Sequence, residues 1–257
     1  ELCTNHCKLK VAEIDQETEA YGFLCGRDYH DNKYVKNKTL HFQLIAKRKE
    51  LFKFRATSSQ TRMTIGIPAG LHLFDEILYW RKFFDFLSIR TVTSEDYTTA
   101  VKDGKNLSSA EFCAPIAAMH GHVEYLSKRT DCIFLPVYLE EYRELKMNKQ
   151  YCYYTQYVSS VIFVQKNFKS DKKLLTPLLK YSTGELFIRL EMLRMFKSIG
   201  INDIGFIDIN LAWEKAKRQV QSVREEWKAL YPEEIKDAGD IHVVLLGRPY
   251  TVLSSSM

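Results

Sequence analysis

The chain lacks any apolar run near the roughly 20 residues that a membrane-spanning helix requires, so no such span is expected among its 257 residues. It also lacks the Gly-x-x-x-x-Gly-Lys-Ser/Thr phosphate loop, the Gly-x-Gly-x-x-Gly dinucleotide fingerprint and the Gly-x-Ser-x-Gly nucleophile elbow. Nucleotide binding by the standard loops, and serine-hydrolase chemistry, therefore find no support. Glycine and proline are sparse, at 11 and 6 residues, and no repeat or low-complexity tract stands out. A dominant charge is missing too, since 37 basic against 32 acidic residues leave only +5. Much of that excess sits in 33–38 and 47–55, without a base-stacking motif or recognition helix. Those stretches read as solvated linker, and no nucleic-acid partner is expected.

What is present is an ordinary globular composition, 46% hydrophobic and 27% charged. A chain of this length buries roughly 70–75% of its unfolded surface, enough for one large or two modest domains. Six cysteines occur without secretory features. That usage points to a reducing, cytoplasmic compartment and to metal or structural thiols rather than disulfides. Glu1-Leu2-Cys3 opens inside a motif, and the far end stops just after an expected strand. The chain therefore reads as a segment of a longer protein.

Along the chain, 1–30 forms a small cysteine-bearing β module: 8–14 alternates like a strand, 15–19 turns, and 20–24 returns as partner. A basic linker follows over 31–62, with a helix across 44–54. From 63 the pattern changes. Residues 64–68 are a short buried strand, and 71–87 carry apolar residues at 71, 74, 77, 78, 84 and 87, the stripe of a helix. Strand 89–93, helix 113–128 and strand 132–135 continue the alternation. Strand–helix–strand–helix–strand in that order predicts a Rossmann-like parallel α/β sheet over 63–173 with right-handed crossovers. A helical connection is expected over 174–240, with helices at 174–199 and at 212–231, the latter stopped by Pro232. Residues 241–257 then begin a truncated second α/β unit with a strand at 241–246.

The chemistry centres on Cys113 and Cys152. Each stands at the start of an expected helix, in Glu111-Phe112-Cys113-Ala114-Pro115 and in Tyr151-Cys152-Tyr153-Tyr154. Unpaired N–H groups and the positive dipole end of a helix favour the thiolate, the form that binds metal or attacks a substrate. Ligands of open parallel sheets bind beyond the carboxyl ends of the strands, and that edge also carries Pro68-Ala69-Gly70, Ser94 and Pro136. Two thiols converging there favour a soft-metal or cluster site, against the alternative of two small buried residues. Cys132 lies inside a strand and reads as core. His120 and His122 read as packing or capping residues of the helix that Cys113 opens. Cys3, Cys7 and Cys25 fit a second knot, Cys-x3-Cys followed by Cys25-Gly26, in a module too small to hold itself by core alone. Zinc or iron there, and reduced structural thiols, stand level. His6, His30 or a cysteine upstream of Glu1 are the candidates for a fourth ligand.

The run Ile65-Gly66-Ile67-Pro68, Leu71, Phe74, Trp80, Phe83-Phe84 and Leu87 resembles the opening of a known family. The same family pattern continues with Cys113-Ala114-Pro115, His120-Gly121-His122, Asp131, Ile133-Phe134-Leu135-Pro136, Cys152, Gln156 and Gly247-Arg248-Pro249-Tyr250. That family is the domain of unknown function in activase-related proteins of the 2-hydroxyacyl-CoA dehydratase system. The upstream Cys3-Thr4-Asn5-His6-Cys7-Lys8-Leu9 with Gly22 and Cys25 is similar as well. The resemblance implies a long protein of anaerobic bacteria, in which an actin/Hsp70-like ATPase precedes a dehydratase-subunit-like region. It implies Cys113 and Cys152 as ligands of an iron–sulfur cluster, of the 4Fe–4S or double-cubane kind, receiving low-potential electrons driven by ATP hydrolysis. It further implies that an ATPase domain in the same chain and a second dehydratase-like half past Met257 are partners. The rival reading is a non-catalytic interaction domain with structural cysteines or a small zinc site.

Overall fold

Short runs of β-branched and aliphatic residues, capped by turns, form strands that a parallel sheet buries on both faces. In the computed structural model, which describes residues 7–24, 44–57, 62–140, 150–165, 173–234 and 246–255, four such strands make the central sheet. They are β3 (Thr64–Ile67), β4 (Arg90–Thr93), β5 (Cys132–Phe134) and β7 (Lys173–Leu175), in the order β4-β3-β5-β7, all parallel. Ile65 sits opposite Thr91 and Cys132 across its two neighbours. The α/β class and the parallel sheet expected over 63–173 are thus present.

Helix α2 (Leu71–Phe86) joins β3 to β4, while α3 (Ala100–Leu107) and α4 (Ala114–Ser127) return the chain to β5 on the other side of β3. Right-handed crossovers in opposite directions place α2 and α4 on opposite faces of the sheet. The core centres on α2, where Trp80, Phe83 and Phe84 are fully buried. The Trp80 ring lies 4.7 Å from Phe134 of β5, and 6.0 Å from Trp213 of α8 (Phe206–Glu234). Helix α7 (Glu185–Ser198) packs against α8 through Arg189, which bonds Glu185 at 2.6 Å and Glu214 at 2.5 Å, while Lys217 reaches Glu185 at 2.7 Å.

On the other face, α3 and α4 cross at backbone contact. A Cβ added at Gly104 would stand 1.6 Å from the Ala117 carbonyl oxygen, and one at Gly121 2.2 Å from that of Ala100. Backbone atoms fill both positions, so no side-chain shift relieves the clash.

Several boundaries differ from the sequence reading. The hairpin β1 (Lys10–Ile14) and β2 (Glu17–Tyr21) turns over Asp15 and Gln16 alone, whose φ values of 51° and 68° fit the twist of a two-residue hairpin loop. The partner strand therefore begins at Glu17, rather than at 20. The linker helix α1 (Leu44–Leu51) is where expected. The helix read over 174–199 is corrected most: its first residues are β7 and β8 (Leu178–Leu179), the latter paired with β6 (Val137–Tyr138), and the helix starts only at Glu185. Helix α8 begins at Phe206 and runs through Pro232, which removes one hydrogen bond near its end without stopping it. The strand expected at 241–246 lies, apart from Leu246, outside the described residues. Among the described residues, no helix is long and apolar enough to cross a membrane.

Gly104→Ala and Gly121→Ala are each expected to lower stability by about 1–3 kcal/mol, the cost of overpacking a close contact. Denaturant midpoints with unchanged slope are the measurement; an unchanged midpoint would refute the backbone contact.

Candidate functional site

Three connections meet at the carboxyl edge of the sheet. After β3 the chain passes Pro68-Ala69-Gly70, where the Ala69 N–H donates to the Ser94 hydroxyl at 3.0 Å. It then enters α2 through Leu71, held at φ 48°. A branched residue in the left-handed region is strained, and such strain persists only where the surroundings enforce it. The next residue, His72, stacks on Tyr151 with ring centroids 3.5 Å apart and meets Tyr250 edge-on at 5.9 Å. Burial first, and the Arg248 charge second, lower its pKa to about 4, so the imidazole is neutral at physiological pH.

Cys113 and Cys152 occupy the same local structure. Each is the residue before a helix, with φ −61° and ψ 153° at Cys113 ahead of α4, and φ −62° and ψ 153° at Cys152 ahead of α5 (Tyr153–Gln156). The carbonyl of Cys113 accepts the N–H groups of Ile116 and Ala117, and that of Cys152 those of Thr155 and Gln156. Both cysteines are exposed and free. The helix starts are held side by side by their neighbours: Phe112 meets Tyr154 edge-on at 5.5 Å. Cys152 is pushed upward by burial, but the Thr155 hydroxyl at 3.4 Å, the N–H groups of Thr155 and Tyr154, and Arg248 outweigh it. Its pKa is held below the ordinary thiol value.

Arg248 stands ahead of α9 (Pro249–Val252) and donates to the Tyr250 hydroxyl at 2.6 Å. That bond chiefly raises its pKa, and the charges of Cys152 and Cys113 act on it in the same direction. One guanidinium is therefore within electrostatic reach of both sulfurs. Tyr250 is buried against His72, and the Ser255 hydroxyl donates to the Glu95 carbonyl at 2.9 Å, tying this far segment to the sheet edge.

The other candidates lie elsewhere. Cys132 opens β5 at the opposite edge of the sheet and is buried. His120 and His122 are buried within α4, and burial lowers both pKa values, that of His122 to about 4. His120 Nδ1 lies 2.9 Å from Gln165 Oε1, and its ring stacks under Phe112. Cys7, partly exposed, accepts the Leu24 N–H at 3.5 Å, while Cys3 and Cys25 lie outside the described residues. Among the described residues no three His, Cys, Asp or Glu side chains are grouped for a metal ion. His72, Thr155 and Arg248 went unnoticed as site residues in the sequence, although Cys-x-x-Thr is legible as a thiol-to-hydroxyl pairing at a helix start.

Because its folded pKa is depressed, the Cys152 thiolate persists to lower pH than an ordinary thiolate. Iodoacetamide alkylation of Cys152, followed by mass spectrometry, is expected to titrate below the usual thiol range. Thr155→Ala should move that profile to higher pH and slow alkylation at neutral pH about threefold to tenfold, the worth of one ordinary hydrogen bond. An unshifted profile would remove Thr155 from the site.

No curated protein and no solved structure matches the chain. The sequence profile described as the CoA enzyme activase uncharacterised domain matches residues 64–257, which takes in the sheet, both thiols and the Arg248 segment. The chain belongs to the family of the CoA enzyme activase uncharacterised domain.

Proposed function

We propose that this chain is the thiolate-bearing part of an ATP-driven, low-potential electron-transfer protein related to the 2-hydroxyacyl-CoA dehydratases. In this reading Cys113 and Cys152 ligate an iron–sulfur cluster at the carboxyl edge of the sheet. The supporting observation is the paired geometry: two exposed thiols in matching backbone conformations at adjacent helix starts, with Arg248 reaching both. Iron–sulfur clusters are held by thiolates, usually four, and two exposed sulfurs fit half of such a donor set. When bound, the cluster would supply one-electron chemistry. The protein's part is to present the sulfurs as thiolates and to offset their charge with Arg248 and the helix N-termini. An ATPase domain in the same longer chain and a second dehydratase-like half are the partners, in a cytoplasmic setting. The N-terminal module is proposed as a small zinc site of Cys3, Cys7 and Cys25; the N–H donated to Cys7 is the kind of contact that stabilises a metal-bound sulfur.

Family membership also admits a non-catalytic interaction domain with structural cysteines. The lack of a third metal-binding side chain beside the pair among the described residues favours that alternative.

Anaerobic reconstitution of a longer version of the protein with iron and sulfide separates the two. Sulfur-to-iron charge-transfer absorption is expected, and it should vanish in Cys113→Ala plus Cys152→Ala. Absorption that survives the double substitution would sink the assignment. Zinc content measured on the same preparations tests the N-terminal module, where Cys7→Ala is expected to lower bound zinc.

A further inference from the structure

One edge of the central sheet carries backbone groups that no strand takes up. β7 ends the order β4-β3-β5-β7 and pairs on one side only, with β5. The Leu175 carbonyl accepts the Leu135 N–H at 2.8 Å, and the Pro177 carbonyl accepts that of Val137 at 3.0 Å. Successive residues of a strand turn their backbone groups to alternate sides, so Leu174 and Thr176 turn theirs away from β5. Among the described residues no hydrogen bond takes up those N–H and C=O groups. Proline is one means of blunting an edge, but the missing N–H of Pro177 falls on the β5 side and removes nothing from the outer row.

A groove of about 480 Å³ runs along this edge, lined by β7 and by one stripe of α7. On α7 the lining residues are Glu191, Arg194, Met195, Ser198 and Ile199, spaced three and four apart, so the helix presents a single face to the groove. Met195 and Pro177 are buried there, and the Phe163 ring, 57% exposed, adds apolar surface. Free strand-edge groups beside an apolar groove are what an extended peptide requires. The backbone ladder supplies affinity, and the groove accepts alternate side chains.

The charges around the groove select among such peptides. Lys173 and Arg194 line it, and Lys197 stands exposed one turn past Arg194. Glu191 is the one acid among the described lining residues, and it is already ion-paired with Arg194. Among the described residues neither Lys173 nor Lys197 forms an ion pair. An acidic segment is drawn to this rim and a basic one is repelled.

We propose that the outer edge of β7 is the docking site for an acidic, extended peptide segment of a partner protein, which adds a fifth strand to the sheet through Leu174 and Thr176. Its alternate apolar side chains enter the groove beside Met195 and Phe163, and its carboxylates meet Lys173, Arg194 and Lys197. The site shares no residue with the sulfur edge and needs no metal, so it stands or falls apart from the cluster reading.

Fluorescence anisotropy on the full chain tests this with two labelled eight-residue probes, one alternating valine with glutamate and the other valine with lysine. The glutamate probe should bind at least tenfold more tightly than the lysine probe. Reversing two exposed charges, in Lys173→Glu plus Arg194→Glu, should weaken it about tenfold. The glutamate probe methylated at every backbone nitrogen cannot donate to the ladder and should also bind about tenfold more weakly. Thr176→Pro, which removes one outward N–H, should weaken binding of the unmethylated probe about threefold to tenfold. Thermal melts identify any variant that fails to fold; the methylated probe, which leaves the chain untouched, then decides. No binding of the glutamate probe, equal binding of the two probes, or an affinity unchanged by charge reversal would each overturn the proposal. So would a methylated probe bound as tightly as its parent, since that is charge attraction without an added strand.

Discussion

A fully buried indole must find an acceptor for its N–H, and most of this structure is arranged around how Trp80 does so. Its ring touches α2, β5 and α8 at once, and its nitrogen is satisfied by Glu76 and Tyr138. That requirement fixes β6 against α2. From β6 the neighbouring Leu139 carbonyl accepts the Tyr151 N–H at 3.2 Å, which sets the entry to Cys152. One polar atom in the core is thus linked, by two steps of ordinary hydrogen bonding, to the position of a surface thiol.

The other thiol is set from the opposite face. Cys113 leads into α4, and α4 is held by the glycine crossing with α3, where two backbones touch. Neither anchoring arrangement involves a basic side chain. At the exposed edge Arg248 supplies positive charge beside the thiols, while His72 stays neutral. The apolar layers determine where the sulfurs stand, and the edge holds the Cys152 thiol below its ordinary pKa.

The elements that were legible in the sequence are those with one strong periodicity. Ile65-Gly66-Ile67 and Ile133-Phe134-Leu135 are too short and apolar to be other than buried strands between helices, and the stripe of α2 is plain. The run from Leu174 to Leu179 misled because its paired leucines repeat at helical spacing, while Thr176-Pro177 breaks it into two strands that find parallel partners far away in the chain. Helix α3 was passed over because Gly104 sits in its middle and it offers few apolar residues; its reason to be a helix is the contact with α4, which no local signal carries. Cys113 and Cys152 stood out because capping positions are local. Arg248 and His72 did not, because the groups they meet are joined only by the fold.

The contact between Ser255 and Glu95 closes a loop of 160 residues, and Tyr250 reaches His72 over a similar span. Closing such a loop costs more entropy than forming the helix starts around the thiols, which need only neighbouring residues. The segment carrying Arg248 is thus tied to the site by contacts of long sequence separation, unlike the helix starts that carry the thiols. Cys113 and Cys152 are already exposed with that segment in place, so the segment supplies charge beside the sulfurs rather than a cover over them.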